Sequence, residues 1–456
     1  MGASATERLN LFMKKLIAML LLAAMLVSLT ACRKKEKEEK ETEPATEAVQ
    51  FDDWEKFLTT ATTEKAVVKP QVGGEITVAP VAYRDNVVCL DITLNNTTDR
   101  TLCLDVAAVA VNGITIGAVC NTFALPGEQV METLSVSQTE LRMAGIFQIA
   151  TVEFLFDIQD EDGFSLEVVR HTLTSSAGAD FQQDADASLR AFTSSQAQSE
   201  MGYTVVCNEK TRVELGDNVY LENKVFIDGA LGEILRLEVR NEDDKLYNLA
   251  GAIDSINGLN VLAYSRVDTI LPNTSAVVYV QMELVLSQMM REAFGVDSTA
   301  KFGMELKLYD CQENGAPLDS AEPLAQHRFE MTIPEREVLA NLEGTLLYYA
   351  NGLEILAKKA VYAPWSEDQE ETYVYLVFRC HEDKELTVEL EPEKPVVMNG
   401  GYSYFEFIAP ETIAGNDYRV GCVRVDNIDS TFVELSLLVT DAGNQTEFTA
   451  EICVMF

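Results

Sequence analysis

Outside its carboxylates, this 456-residue chain is poor in side chains that do chemistry. Its three histidines, His171, His327 and His381, stand far apart. A histidine-dependent hydrolase sets a nucleophile and an orienting carboxylate beside the ring, and neither Gly-x-Ser-x-Gly nor His-Glu-x-x-His occurs. A phosphate-cradling Gly-x-x-x-x-Gly-Lys is missing too, so no catalytic residue and no cofactor is assigned. Asp and Glu total 73, enough to assemble a glycosidase pair on almost any face, so each acidic pair reads as solvated surface. The densest acidic run, Asp157-Ile158-Gln159-Asp160-Glu161-Asp162-Gly163, fails as a calcium loop. With Gly163 as the sixth loop position, Ile158 and Val169 fall where the first and twelfth ligands must be carboxylates. It reads as a strand end and a turn, and no metal site is expected.

Nine cysteines are the other reactive set: Cys32, Cys89, Cys103, Cys120, Cys207, Cys311, Cys380, Cys422 and Cys453. Without a Cys-x-x-Cys, structural zinc is disfavoured. Several sit inside apolar runs such as Val87-Val88-Cys89-Leu90, where a thiol behaves as a small buried hydrophobe. Apart from Cys32, they are expected to be mostly reduced core thiols rather than a disulfide framework.

The elements that position these groups follow from length, charge and pattern. At roughly 150 residues per domain, the chain predicts about three domains. Apolar residues at 47% and charged residues at 24% supply cores and exclude a wholly disordered chain. A formal charge of −38 repels phosphate backbones, which argues against nucleic acid as a partner.

Met13-Lys14-Lys15 opens an apolar stretch, Leu16 to Val27, that runs into Leu29-Thr30-Ala31-Cys32. A basic start, a short apolar middle and a small-residue exit form an export signal, too short and too closely followed by charge for a comfortable membrane span. Leu-Thr-Ala-Cys resembles the lipobox of bacterial lipoproteins. That resemblance implies cleavage between Ala31 and Cys32, a diacylglyceryl thioether on the Cys32 sulfur and an acyl chain such as palmitate on its new amino group. The membrane partner is then reached through lipid, on the extracytoplasmic face. Residues Met1 to Phe12, with Glu7 and Arg8, depart from the usual short basic start, which makes Met13 the alternative initiator. Without residues 1–31 the mature chain carries about −40. Residues 32–64 read as a lipid-anchored charged tether: Arg33 to Glu47 mixes five basic residues with six glutamates around Pro44 and cannot build a core. Phe51, Trp54 and Phe57 recur at helical spacing, consistent with a short element that packs on a core.

The remainder repeats. An apolar residue followed by Asn-Gly occurs at Asn112-Gly113, Asn257-Gly258 and Asn399-Gly400, spaced by 145 and 142 residues. Strand-like runs precede each, at Val87 to Leu94, Ile234 to Val239 and Tyr373 to Phe378, with polar turns at Asn96, Asn241 and His381. Leu125-Pro126-Gly127, Leu271-Pro272-Asn273 and, more loosely, Ala414-Gly415-Asn416 follow. Ser137, Gly145 and Asp160 match Ser287, Gly295 and Asp310 with intervals of 8 and 15 in both copies. Ser137-Gln138-Thr139-Glu140 has the form of a capping box and Gly145 of a helix stop.

Short alternating runs bounded by turns predict strands, and Asn-Gly suits the positive φ of a tight hairpin. The fold class read from this is all-β: three tandem antiparallel β-sandwiches of immunoglobulin-like size, each with at most one short crossover helix. They cover 65–176, 201–334 and 335–456, with a linker at 177–200 that Phe181, Leu189 and Phe192 mark as helical and docked. The functional expectation is a non-enzymatic lipoprotein presenting a binding or spacer surface, its partner class an envelope protein or a cell-surface glycan. The alternative is a solute-binding or sensory lipoprotein with a membrane partner, for which a deep pocket near Tyr362, Trp365 and Tyr373 is the mark to seek. A carboxylate glycosidase is the remaining enzymatic reading.

Overall fold

A computed structural model describes residues 62–456 except 85–86, 119, 179–185, 286, 319–321, 337–339, 359, 367–368, 393, 399–403, 411 and 427–431. Ala31, Cys32, the charged tether, Phe51, Trp54 and Phe57, and Asn399-Gly400 lie outside these residues, as do the side chains of Tyr362 and Trp365. Strand accounts for 59% and helix for 9%, so the protein is all-β.

Among the described residues five sheets carry the strands, and one order of pairing recurs. In the first segment Ala66–Val68, Glu75–Val78, Val87–Asn95 and Gln129–Ser137 lie side by side in one sheet. Facing it are Cys120–Ala124, Leu102–Val111, Thr151–Gln159 and Ser165–Thr174. The second segment repeats this with Tyr203–Gly216, Val219–Gly229, Ile234–Asn241 and Ser275–Gln281. Its other sheet is Leu259–Ile270, Tyr247–Ile256, Lys301–Asp310 and Ala325–Thr332. In the third, Thr345–Ala350, Leu353–Ala357, Gln369–Cys380 and Tyr418–Asp426 follow one another. Leu386–Leu390 and Val397–Met398 pair with Phe432–Asp441, which pairs with Thr446–Met455. Here one strand departs from the pattern: Tyr404–Ile408 pairs with Tyr418–Asp426, so the strands flanking Asn399-Gly400 belong to different sheets.

Alternation places the cores. Ile76, Ile92, Leu94 and Leu134 of one sheet meet Leu104, Phe154, Phe156 and Ile158 of the other in the first segment. The third segment closes the same way around Leu376, Phe378, Leu435 and Leu437.

Two asparagines in each of the first two copies account for the spacing those copies share. Asn112 and Asn257 have φ of 53° and 51°, and the following glycines 73° and 82°, the double positive φ of a type I′ hairpin. Each side chain then clamps the segment that leads into a later strand. Asn112 Nδ2 donates to the Gln148 carbonyl at 2.6 Å, and its Oδ1 accepts from the Ala150 and Thr151 N–H groups. Asn257 does the same to Ser298, Ala300 and Lys301. Asn96 and Asn241 form the second clamp, donating to the carbonyls of Arg100 and Ala124 and of Lys245 and Leu271. In the third segment this place belongs to Cys380, not His381. The Cys380 N–H bonds the Asp417 carbonyl as Asn96 bonds Glu128 and Asn241 bonds Thr274, and its thiol lies against the Lys384 carbonyl four residues on.

Helices fill the crossovers. Ser137 caps Gln138–Met143 by accepting from the Glu140 N–H at 3.0 Å, and Gly145 follows at φ 78°. The Glu140 carboxylate accepts from the Gly117 N–H. The second crossover holds two short helices, Met282–Val285 and Gln288–Phe294, rather than one. Ala187–Phe192 and Ser195–Met201 form the helical linker, and Leu189, Phe192 and Met201 pack on Val225, Ile227 and Ile234.

Replacing Asn257 by Ala strands two N–H groups, that of Ala300 buried, and a carbonyl, and places a Cβ-only residue at φ 51°. Urea unfolding should show a loss of about 2–4 kcal/mol, whereas alanine at exposed Asn444 should change stability by less than about 0.5 kcal/mol.

Candidate binding surfaces at the segment junctions

The segments are not beads joined by hinges. Ser275–Gln281 of the second pairs in parallel with Ile114–Ile116 of the first, so one nine-stranded sheet runs through both. The Ser275 N–H donates to the Gly113 carbonyl at 2.8 Å, setting the hairpin of one segment on the start of a strand in the next. The next junction reuses this place: the Tyr418 hydroxyl donates to the Gly258 carbonyl. Beside the first contact Leu271 is fully buried among Ala108, Ala110 and Leu155, and Val277 joins the core of the first segment. At the second, Val420 and Cys422 join the core that holds Phe294 and Met290.

Buried charge locks the same junctions. Arg236, with no exposed surface, donates through Nε to the Met143 carbonyl at 3.0 Å and through Nη2 to Ala144 and to the Ser188 hydroxyl. Its Nη1 meets Asn223 and Glu238, and Phe192 lies under the guanidinium at 5.0 Å. One side chain thereby satisfies the carboxyl end of a first-segment helix, the linker and a second-segment sheet. Burial acts to raise the Glu233 carboxyl, but the Thr299 hydroxyl and N–H, together with Arg291, hold it below the usual carboxylate range. Arg336, at the entry to the third segment, bonds both Glu233 and Asp228.

Between the first two segments an open cleft of about 400 Å³ remains, lined by Leu155, Val168, Arg170, Lys245, Asp310 and Glu313. Arg170 is committed to Glu153 at 2.9 Å, and Asn314 crosses to the buried Asp157 at 2.8 Å. A second depression, about 340 Å³, lies on the third segment at Pro395, Val397, Glu434, Ser436, Glu451 and Cys453.

The side chains singled out for chemistry stay separate among the described residues. The three histidines lie apart: His171 is paired in register with Phe154, His327 stacks on Phe329, and His381 meets Glu354 and Tyr349. The Asp160 carboxylate accepts from the N–H groups of Asp162 and Phe164, closing its own turn. No group of three His, Cys, Asp or Glu could hold a metal ion among the described residues. All eight described cysteines are free thiols. Burial raises Cys120 and Cys311 to about 11 and Cys422 to about 12, and lifts Cys103, Cys207 and Cys453 as well, so these thiols stay protonated and poorly nucleophilic. Sequence reasoning missed the junction residues Arg236, Glu233 and Leu271. An arginine inside the apolar run Ile234 to Val239, and the repeated Leu-Pro pair, were the available signals. Compared with known proteins, the chain matches no family model and no curated protein.

Arg236→Met leaves Glu238 and two helix-end carbonyls without their cation. Chemical denaturation should show a loss of about 3–5 kcal/mol. For Glu233 the folded pKa lies below the ordinary value of 4.5, so its contribution is complete above that pH and vanishes as pH falls through the folded value. Melting followed from pH 7 down to pH 3 should therefore fall more steeply for the wild type than for Glu233→Gln, the two curves converging at the acid end.

Proposed function

We propose that this chain is a non-enzymatic extracytoplasmic lipoprotein, held to the membrane by lipid on Cys32, in which three copies of an immunoglobulin-like sandwich present a binding or spacer surface at the cell envelope. The observation that carries this reading is the sealing of both junctions by packed side chains and, at the first, by a shared sheet. A solute-capturing protein needs a cleft that opens and closes between its lobes, and here the apolar surface available for such a movement is already buried. A body of fixed length suits presentation, and repeated faces suit weak multivalent contact with an envelope protein or a surface glycan. The mature charge of about −40 repels anionic headgroups and favours a body standing clear of the lipid to which it is tied.

The solute-binding alternative draws on the cleft beside Arg170 and Lys245, whose volume lies at the low end of the range of about 300–1,000 Å³ for small-molecule sites. Its charged, open walls favour it less than sealed junctions favour a scaffold.

Mass spectrometry of protein extracted from membranes should find an amino end at Cys32 carrying lipid mass, and Cys32→Ala should release the protein from the membrane fraction. Pull-down from intact envelopes with the chain begun at Arg33 should retain a specific protein or glycan. An unmodified, uncut amino end, or sustained turnover of a cell-wall glycan, would refute the proposal.

A further inference from the structure

The junction between the first two segments has two halves, a knob and a seat, and each recurs uncovered among the described residues, the knob in the first segment and the seat in the third. The knob is Leu271 with Val277, both buried against the preceding segment. In the first segment the same two positions are Leu125 and Met131. Ala124 pairs with Leu102 as Ile270 pairs with Tyr247, and Met131 faces Thr93 as Val277 faces Glu238. No segment precedes this one among the described residues, and Leu125 and Met131 stand 53% and 60% exposed, with Phe123 beside them at 61%. The strand that carries Met131 pairs with Val87–Asn95 on one side, whereas its second-segment counterpart also pairs with Ile114–Ile116.

The seat is the outer sheet face formed by Ala108, Ala110 and Leu155. Its register can be carried to the third segment. Ala110 faces Glu153 and Leu155 faces Arg170 in the first; Val397 faces Glu434 and Ser436 faces Glu451 in the third. Those four third-segment residues line the depression of about 340 Å³. An open hollow thus lies on the third segment at the position that Leu271 fills on the first.

From these matched halves we infer that the chain associates head to tail with a second copy of itself, Leu125 and Met131 of one molecule entering the Val397–Glu434–Ser436–Glu451 hollow of the next. Such a contact is heterologous, so each copy keeps one free end and growth is open rather than closed. Glu128 and Glu132 flank the knob, and Glu434 and Glu451 rim the hollow. Like charge opposes the approach, so association is weak at low ionic strength and strengthens as salt screens it. The inference rests on the positional match and is independent of the lipid on Cys32.

Sedimentation equilibrium of the chain begun at Arg33, which contains every described residue, tests it. Weight-average mass should climb without a plateau over about a hundredfold rise in concentration, and more steeply in molar salt than in dilute buffer. Leu125→Asp and Val397→Asp change exposed side chains, and circular dichroism will verify that both variants fold. Each alone should remain monomeric. Mixed, they retain one good knob and one good hollow and should stop at a dimer. Oxidation of Leu125→Cys should also link it to Cys453 at the hollow, giving a ladder of disulfide-joined species absent from the wild type. A monomer at every concentration and salt, a closed wild-type dimer, or mixed variants that fail to pair would each overturn the inference.

Discussion

Arg236 is a cation without water, and the arrangement of the first two segments turns on how it is satisfied. A lone guanidinium in that position would be prohibitively costly; the Met143 and Ala144 carbonyls, Ser188, Asn223 and Glu238 together make it tolerable. These partners come from a helix end, a linker helix, one neighbouring strand and Arg236's own strand, so the cation is satisfied only when all of them are in place. The shared sheet and the Leu271 contact then supply burial around a point whose geometry is already dictated by charge. Gly145 fits the same constraint, since a Cβ there would lie 2.2 Å from the Ser188 carbonyl oxygen.

Much of the strand content was legible because alternation is a local signal. The runs around Val87, Ile234, Tyr373, Val152, Phe302 and Phe432 all fall inside strands. The first two Asn-Gly pairs were legible for a physical reason: few residues accept φ near +50° and also offer an amide to clamp a distant backbone. What could not be read was anything that depends on a neighbour in space. His381 looked equivalent to Asn96 and Asn241 as the polar turn after a strand, yet Cys380 takes that place, its thiol lying against the carbonyl four residues on as the asparagine amides do. The switch of Tyr404–Ile408 to a different sheet left no periodic trace, since a strand alternates in the same way whichever partner it chooses.

Junction residues were harder still. Leu125 and Leu271 are the same residue type before the same proline, but one is solvent-facing and the other fully buried. Only the presence of a preceding segment separates them. A repeat sequence therefore announces the interior of each unit well and its contacts with neighbouring units poorly.

The parallel pairing of Ser275–Ala276 with Ile114–Thr115 also sets how the molecule bears load. Tension drawn along the chain reaches those two strands as shear, with their bonds stressed side by side rather than peeled in turn, and neither sandwich can be stretched open without tearing the edge of its neighbour. Thermal and mechanical failure of the first two segments would then arrive as one event.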